Sequence, residues 1–204
     1  MEPAGNWNIV VIGLWNENIF NIPWISAKLF GQGDVRGEFP ILPGFPTKYS
    51  AEGVEILPNS SNLTIQASVA SDGILRQVEE KAVTILSLLP ETPVRAAGFN
   101  YTFAEKDPSD ILQGLFELDD TEPLSDSGIV PTKTVISRQA PHDPGIINLL
   151  LARTQDGIQI TVNFHRDVQN ATEAAEFLRG NAVEFKNQAI QMLKAVYNLD
   201  LEEA

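Results

Sequence analysis

The clearest pattern of apolar and polar positions lies in the last quarter of the chain. Residues 145–154 form a nearly continuous apolar run, and residues 158–168 alternate apolar with polar side chains. Residues 155–157, Gln-Asp-Gly, are typical of a tight turn between two strands. From residue 172 to residue 197 the apolar positions recur at the helical spacing of three and four. The pattern therefore predicts a β-hairpin followed by one long helix.

The first half of the chain predicts a similar series of elements. In order they are a strand, a short helix, short edge-like strands, a hairpin and a long helix, at residues 7–15, 23–30, 35–58, 54–69 and 72–89. Pro23 suits the first turn of the short helix, and Pro90 stops the long one. Ser71 or Asp72 provides the cap of that long helix. The first strand is apolar on both faces, which predicts burial on both sides or an interface.

The second half predicts the same order. It gives a strand, a short helix that starts at Asp107-Pro108, an exposed acidic loop, a strand and a turn before the final hairpin. The first of these strands covers residues 94–104, the acidic loop residues 117–128, the second strand residues 129–140 and the turn residues 141–144. Gly13 precedes Pro23 by ten residues, and Gly98 precedes Pro108 by ten. The pattern predicts one globular domain, residues 1–204, built from pseudo-repeats at 7–90 and 94–199.

This order of elements over residues 7–198 resembles the TATA-binding-protein fold. The resemblance implies an α+β protein with a curved antiparallel sheet, built from two similar β-α-β(3-4)-α halves with two long helices on one face. The alternative architecture is a single antiparallel sheet that grips the C-terminal helix, with a pocket between them. The DNA-binding residues of that family do not carry over, because its concave face needs basic and intercalating side chains that this acidic chain does not supply.

Charge and composition narrow the classes of partner. The 14 Lys and Arg face 27 Asp and Glu, and the net charge of −13 disfavours nucleic acid and anionic membrane surfaces. The chain has no cysteine, which excludes disulfides, thiolate nucleophiles and Cys-bound metals. No apolar stretch approaches the ~20 residues of a membrane span, and the first residues lack a signal-peptide pattern. We therefore expect a cytoplasmic protein.

A polar row in the last predicted strand holds the main candidates for ligand binding. Thr161, Asn163 and His165 alternate with apolar residues and share one face, and Arg166 follows them. Tyr101, in an aromatic row that either packs in the core or contacts a ligand, completes the set. The polar row is either a binding surface or a wetted sheet face.

Other residues offer weaker signals. His142 lies in a proline-rich turn, and the acidic loop at 117–126 lacks the calcium-binding spacing of an EF-hand. Trp7, Trp15 and Trp24 cluster near the amino terminus and predict either core packing or an interface. The sequence contains no recognised nucleophile, phosphate-binding or metal motif, so we expect no cofactor.

These observations favour a non-enzymatic binding or scaffolding protein that self-associates as a homodimer or binds another protein. One alternative is a small-molecule or peptide binder that uses a cleft between the sheet and a long helix. A further alternative is a metal-dependent hydrolase centred on His165 and nearby carboxylates.

Overall fold

Antiparallel strands form one open sheet in the computed structural model, which describes residues 1–5, 7–40, 46–154 and 156–201. Within these residues the sheet has ten strands. They are β1 (Glu2–Pro3), β2 (Asn8–Gly13), β3 (Arg36–Glu38), β4 (Lys48–Ala51), β5 (Val54–Asn59), β6 (Asn62–Ala67), β7 (Val94–Glu105), β8 (Thr134–His142), β9 (Gly145–Thr154) and β10 (Gly157–Asp167). The fold is therefore α+β with a large, curved antiparallel sheet that does not close into a barrel, as the sequence predicts.

The strands follow the order β3-β4-β5-β6-β2-β7-β10-β9-β8, and β1 pairs with the far end of β7. The two strands that open the predicted halves, β2 and β7, lie side by side at the centre. The strands of the first half extend to one side of this pair and those of the second half to the other. The short β3 forms one edge of the sheet, which agrees with the edge-like strands predicted from the prolines of that stretch.

Helices connect and cover these strands. Besides a short 3-10 turn at Glu17–Ile19, they are α1 (Ile22–Leu29), α2 (Asp72–Leu88), α3 (Asp110–Gly114), α4 (Thr121–Asp126), α5 (Ala171–Leu178) and α6 (Ala182–Tyr197). The side-chain oxygen of Asn21 accepts a hydrogen bond from the Trp24 N–H at the start of α1. The Ser71 hydroxyl oxygen accepts a hydrogen bond from the Ile74 N–H at the start of α2. Of the two cap residues predicted for this helix, Ser71 is therefore the N-cap.

The core lies between one face of the sheet and helices α2, α5 and α6. Strand alternation turns Ile9, Phe99 and Tyr101 toward these helices, and all three are almost fully buried. The Phe99 ring meets the rings of Phe177 in α5 and Phe185 in α6 edge-on, with centroids 5.7 and 5.4 Å away. Aromatic and aliphatic side chains thus fill the space between sheet and helices, which gives no support for a ligand cleft there.

The long C-terminal helix predicted for residues 172–197 is two helices, α5 and α6. The break falls at Gly180, whose φ of 82° ends α5 in a left-handed conformation. The Glu79 carboxylate on α2 then accepts hydrogen bonds from the N–H groups of Gly180 and Ala182, at 2.7 and 2.8 Å. A charged acceptor therefore satisfies the N–H group of Gly180, which follows α5, and that of Ala182 in the first turn of α6, and so stabilises the interruption.

Other boundaries differ from the predictions in smaller ways. Helix α3 starts after Ser109 and not at Asp107, and the predicted acidic loop contains the short helix α4. Strand β8 starts at Thr134 and not at residue 129, because Pro131 removes a backbone donor and restricts the residue before it. Gln155 in the predicted turn and residues 41–45 of the proline-rich stretch lie outside the described residues.

Candidate functional site

The sheet face opposite helices α2, α5 and α6, called here the open face, is lined by polar and aliphatic side chains. Its residues alternate along each strand with the core residues. On the central strands they are half-buried, because neighbouring side chains of the same sheet crowd one another. The open face is therefore a broad sheet surface that these helices do not cover.

Five side-chain amides in register form a continuous chain of hydrogen bonds across the open face, which we call the amide ladder. They come from β2, β7, β10, β9 and β8 and lie directly opposite one another. The distances are 2.8 Å from Asn100 Nδ2 to Asn8 Oδ1, 2.9 Å from Asn163 Nδ2 to Asn100 Oδ1, 2.8 Å from Asn148 Nδ2 to Asn163 Oδ1 and 2.9 Å from Gln139 Nε2 to Asn148 Oδ1. Each amide donates to the next, so the ladder has one direction.

The same row continues through the other half of the sheet. Gln66 lies opposite Asn8, and its Nε2 donates to Glu55 Oε2 at 2.6 Å. Ser50 and Arg36 continue the register to the edge at β3. Charged side chains of the row therefore lie on β3 and β5, while the ladder itself is uncharged.

Near that charged edge, Lys48 bridges two carboxylates. Its Nζ lies 3.0 Å from Glu38 Oε1 and 3.4 Å from Glu55 Oε1. The hydrogen bond to Glu38 and the charge of Glu55 raise the pKa of Lys48. Lys48 therefore offsets one of the two negative charges of this cluster.

Aliphatic side chains flank the amide ladder on the open face. Val10 and Ile146 are half-buried on one side of it, while Leu150 and Val135 on the other are 40% and 47% exposed. The hydroxyl oxygens of Thr102 and Thr161 are 3.1 Å apart, and either can donate. The surface is therefore a mixture of amides, hydroxyls and apolar groups, as at many protein interfaces.

The structure brings together three of the five predicted ligand-binding residues. Thr161, Asn163 and His165 lie on the open face as the alternation predicts, and His165 Nε2 is 3.3 Å from Asp167 Oδ1. Arg166 points to the opposite face, where its guanidinium lies 3.2 Å from Glu173 Oε1. Arg166 therefore lies on the other face of the sheet from His165, which precedes it, because adjacent residues of a strand face opposite sides.

Tyr101 also lies away from the open face. It is buried in the core, and its hydroxyl donates to the Ala182 carbonyl oxygen at 2.5 Å. Burial, with a further contribution from the nearby Glu79 carboxylate, raises the pKa of this phenol well above its ordinary value. Tyr101 therefore packs and anchors α6, and it is not accessible to a ligand on the open face.

The tryptophans belong to the core of this chain. Trp7 and Trp15 are 2% and 5% exposed, and Trp7 packs edge-on against the ring of Tyr101 at 5.9 Å. Trp24 is half-buried against Phe20. Of the two alternatives that the sequence leaves open, core packing applies to Trp7 and Trp15, which removes them as interface residues.

His142 lies on the helix side of β8. Its Nε2 is 3.0 Å from Gln188 Oε1, and its ring packs against those of Phe164 and Phe185. Among the described residues, no group of three or more His, Asp or Glu side chains is placed to hold a metal ion. A hydrolase centred on His165 therefore has only Asp167 as a described carboxylate partner at hydrogen-bonding distance.

Two of the surface clefts among the described residues lie at a turn of the sheet and at the end of α2. One, of about 330 Å³, lies at the β4–β5 turn and is lined mainly by Asp34, Arg36, Glu52, Glu55 and Ser68. The other, of about 400 Å³, is apolar and lies at the end of α2, lined mainly by Leu14, Trp15, Ile19, Leu88 and Pro93.

Of the five ladder amides, the sequence singles out only Asn163. Asn100 alternates with the aromatic row that contains Tyr101, which assigns it to the other face of its strand, whereas Asn8, Asn148 and Gln139 carry no separate signal. Alternation fixes the face of each amide, whereas the register that aligns them depends on strands far apart in the chain.

Comparisons with known proteins give no family for this chain. No family model matches the sequence, and no curated protein is significantly similar to it. None of the helices in the described ranges is long and apolar enough to cross a membrane.

Proposed function

We propose that this protein is a non-enzymatic binding or scaffolding protein that self-associates through the open face of its sheet. The observation that carries the proposal is the amide ladder, an uncharged row across five strands in a chain whose net charge is −13. Copies of such an acidic chain repel one another wherever their carboxylates meet. The ladder provides a surface on which two copies can approach without that repulsion.

Amides suit an interface between identical copies. A two-fold interface is isologous, so the surface must be complementary to itself. Each amide group carries two N–H donors and an oxygen with two lone pairs, and a ladder bond uses one of each. The remaining donors and acceptors of Asn100 and Asn148 can meet those of a second copy, while Leu150 and Val135 supply apolar contact.

The size of the open face fits a small, concentration-dependent interface. The seven strands from β5 to β8 span about 29 Å at ~4.8 Å spacing, and five residues along a strand span about 17 Å. The resulting ~490 Å² for each copy is below the ~800 Å² that each partner buries in a standard interface. Two twisted sheets pack in this way, face to face, in β-sandwiches.

We also propose that the two halves of the chain derive from a single ancestral unit. The support is the strand order, which runs outward in the same sequence from the central β2–β7 pair on both sides. In this view β2 and β7 now join, within one chain, two units that would otherwise expose their edges.

The test is the mass of the protein by light scattering from low to high micromolar concentration. We expect a dimer that Leu150→Arg dissociates, because the new charge would face its own copy across the interface. The matched control is Val196→Arg, an exposed apolar residue of α6 on the helix side, 53% exposed. A protein that stays monomeric at high micromolar concentration, or a dimer that both variants weaken equally, would refute the proposal.

A further inference from the structure

Strand β8 is a long free edge of the sheet. In the described part of the chain it pairs only with β9, along nine residues from Thr134 to His142. Its side chains are mostly exposed on both faces. Natural proteins usually shorten, cover or bend such an edge, because its unpaired N–H and C=O groups offer a template to another strand.

Proline identifies which backbone groups face outward. In an antiparallel ladder alternate residues direct their N–H and C=O groups to the partner strand. Pro141 has no N–H, and the His142–Gly145 pair closes the hairpin, so His142 bonds to β9 and Pro141 faces away. By the same alternation, Val135, Ser137 and Gln139 direct their N–H and C=O groups to the free edge.

Strand β8 itself carries no acidic side chain, in contrast to the chain as a whole. Lys133 precedes it and Arg138 lies within it, while Asp126 and Asp143 lie before and after this segment. Arg153 lies on β9 directly opposite Thr134, on the same face as Arg138. All three cations are exposed, and within the described residues none of them forms an ion pair. The edge therefore combines free backbone hydrogen-bonding groups with positive charge that the chain does not neutralise.

We propose that the β8 edge binds an extended, acidic peptide segment of a partner protein as an additional strand of the sheet. The backbone of the peptide would bond to Val135, Ser137 and Gln139, which is the β-augmentation mode of peptide recognition. Arg153 lies opposite Thr134, which is four residues from Arg138 on β8. The two arginines are therefore offset by about 13 Å along the strand direction. The peptide that fits best therefore has carboxylates four residues apart on one face.

A second copy of this chain is a poorer occupant of the same edge. Pairing two β8 strands would bring Lys133 and Arg138 of both copies to one seam, and like charges across paired strands are unfavourable. The acidic segment instead complements them. The edge also lies at the side of the sheet, so its binding does not depend on self-association through the open face.

The experiment measures fluorescence anisotropy of a labelled nine-residue peptide of Thr and Val with Glu at its second and sixth positions. The control peptide has Lys at those positions. We expect the acidic peptide to bind at least about tenfold more tightly than the control and to weaken as salt increases. Alternate N-methylation of the peptide should abolish binding, because it removes the N–H groups of one of its edges.

Protein variants give a second and independent measurement. Ser137→Pro removes an outward N–H and, by the same alternation, leaves the backbone hydrogen bonds between β8 and β9 in place, while Ser137→Ala removes only the hydroxyl. We expect the proline variant to lose binding and the alanine variant to keep it, with unchanged circular dichroism for both. Arg138→Glu should weaken the acidic peptide and improve the Lys peptide.

Three results would overturn the proposal. Equal affinity for the two peptides would exclude charge recognition, and binding that survives N-methylation or Ser137→Pro would exclude strand addition. A dimer that Ser137→Pro dissociates, but Leu150→Arg does not, would show that a second copy occupies the edge. In the absence of measurable binding by the acidic peptide, β8 is a protected edge and the proposal fails, whatever the oligomeric state.

Discussion

Glu79 should be one of the most important side chains for stability outside the apolar core. Its two carboxylate oxygens accept hydrogen bonds from the N–H groups of Gly180 and Ala182, and so join α2 to the break between α5 and α6. Glu79→Ala leaves both N–H groups without this partner. The Ala182 N–H is in the buried part of the junction, while water can reach Gly180.

The magnitude follows from the kind of bond. A hydrogen bond to a charged group contributes about 1.5–3 kcal/mol, and the exposed bond to Gly180 belongs at or below the lower end of that range. We therefore expect Glu79→Ala to lower the free energy of unfolding by about 3 kcal/mol. In a chain of 204 residues this corresponds to a melting temperature lower by about 6–12 °C. Glu79→Gln keeps an acceptor without the charge, so its free energy of unfolding should lie between that of the unchanged protein and that of Glu79→Ala.

Urea denaturation followed by tryptophan fluorescence and far-UV circular dichroism measures this change. The control is Glu80→Ala, since Glu80 is 67% exposed and its described ion pair is with its neighbour Lys81, at 3.2 Å. We expect the control to change the unfolding free energy by less than about 0.5 kcal/mol. If Glu79→Ala costs no more than Glu80→Ala, the carboxylate does not hold the helix junction and the reasoning is wrong.

Three further predictions concern single side chains. Burial raises the pKa of Tyr101 above its ordinary value of about 10. As the pH rises above about 10, the unfolded chain therefore loses this proton first, and the free energy of unfolding falls. Tyr101→Phe should make the free energy of unfolding, measured by urea denaturation, less dependent on pH in this alkaline range. Gly145→Ala should destabilise by about 1–3 kcal/mol, because the new Cβ would lie 2.1 Å from the His165 carbonyl oxygen, whereas Gly73→Ala meets no atom within 4 Å and should be neutral or stabilising. Asn163→Leu interrupts the amide ladder and should cost about 1 kcal/mol in the same assay.

Each of these predictions has a contrary result. An unchanged alkaline slope in Tyr101→Phe would show that other groups cause it. Equal stabilities of Gly145→Ala and Gly73→Ala would mean that the β9–β10 backbone relaxes freely around the added methyl. A more stable Asn163→Leu would mean that the ladder bonds are weaker than the apolar contacts that replace them.

The sequence by itself determined which residues face the core in most elements. Alternation in β10 placed Thr161, Asn163 and His165 on one polar face, and the helical spacing from Asp72 placed α2. Both patterns are local, because polar residues that face water and apolar residues that face the core recur with the period of the strand or helix that contains them. The α+β class and the large antiparallel sheet follow from the same information.

Only the tertiary structure decided which of those residues meet. Asn8 and Asn100 are 92 positions apart, and no local pattern shows that their strands pair in the register that joins them. The break at Gly180 had a local signal in its glycine, but its stability depends on a carboxylate 101 residues earlier. Local periodicity determines which face of a strand or helix each side chain occupies. Strand register and long-range hydrogen bonds arise only when distant elements pack together, and the amide ladder depends on both.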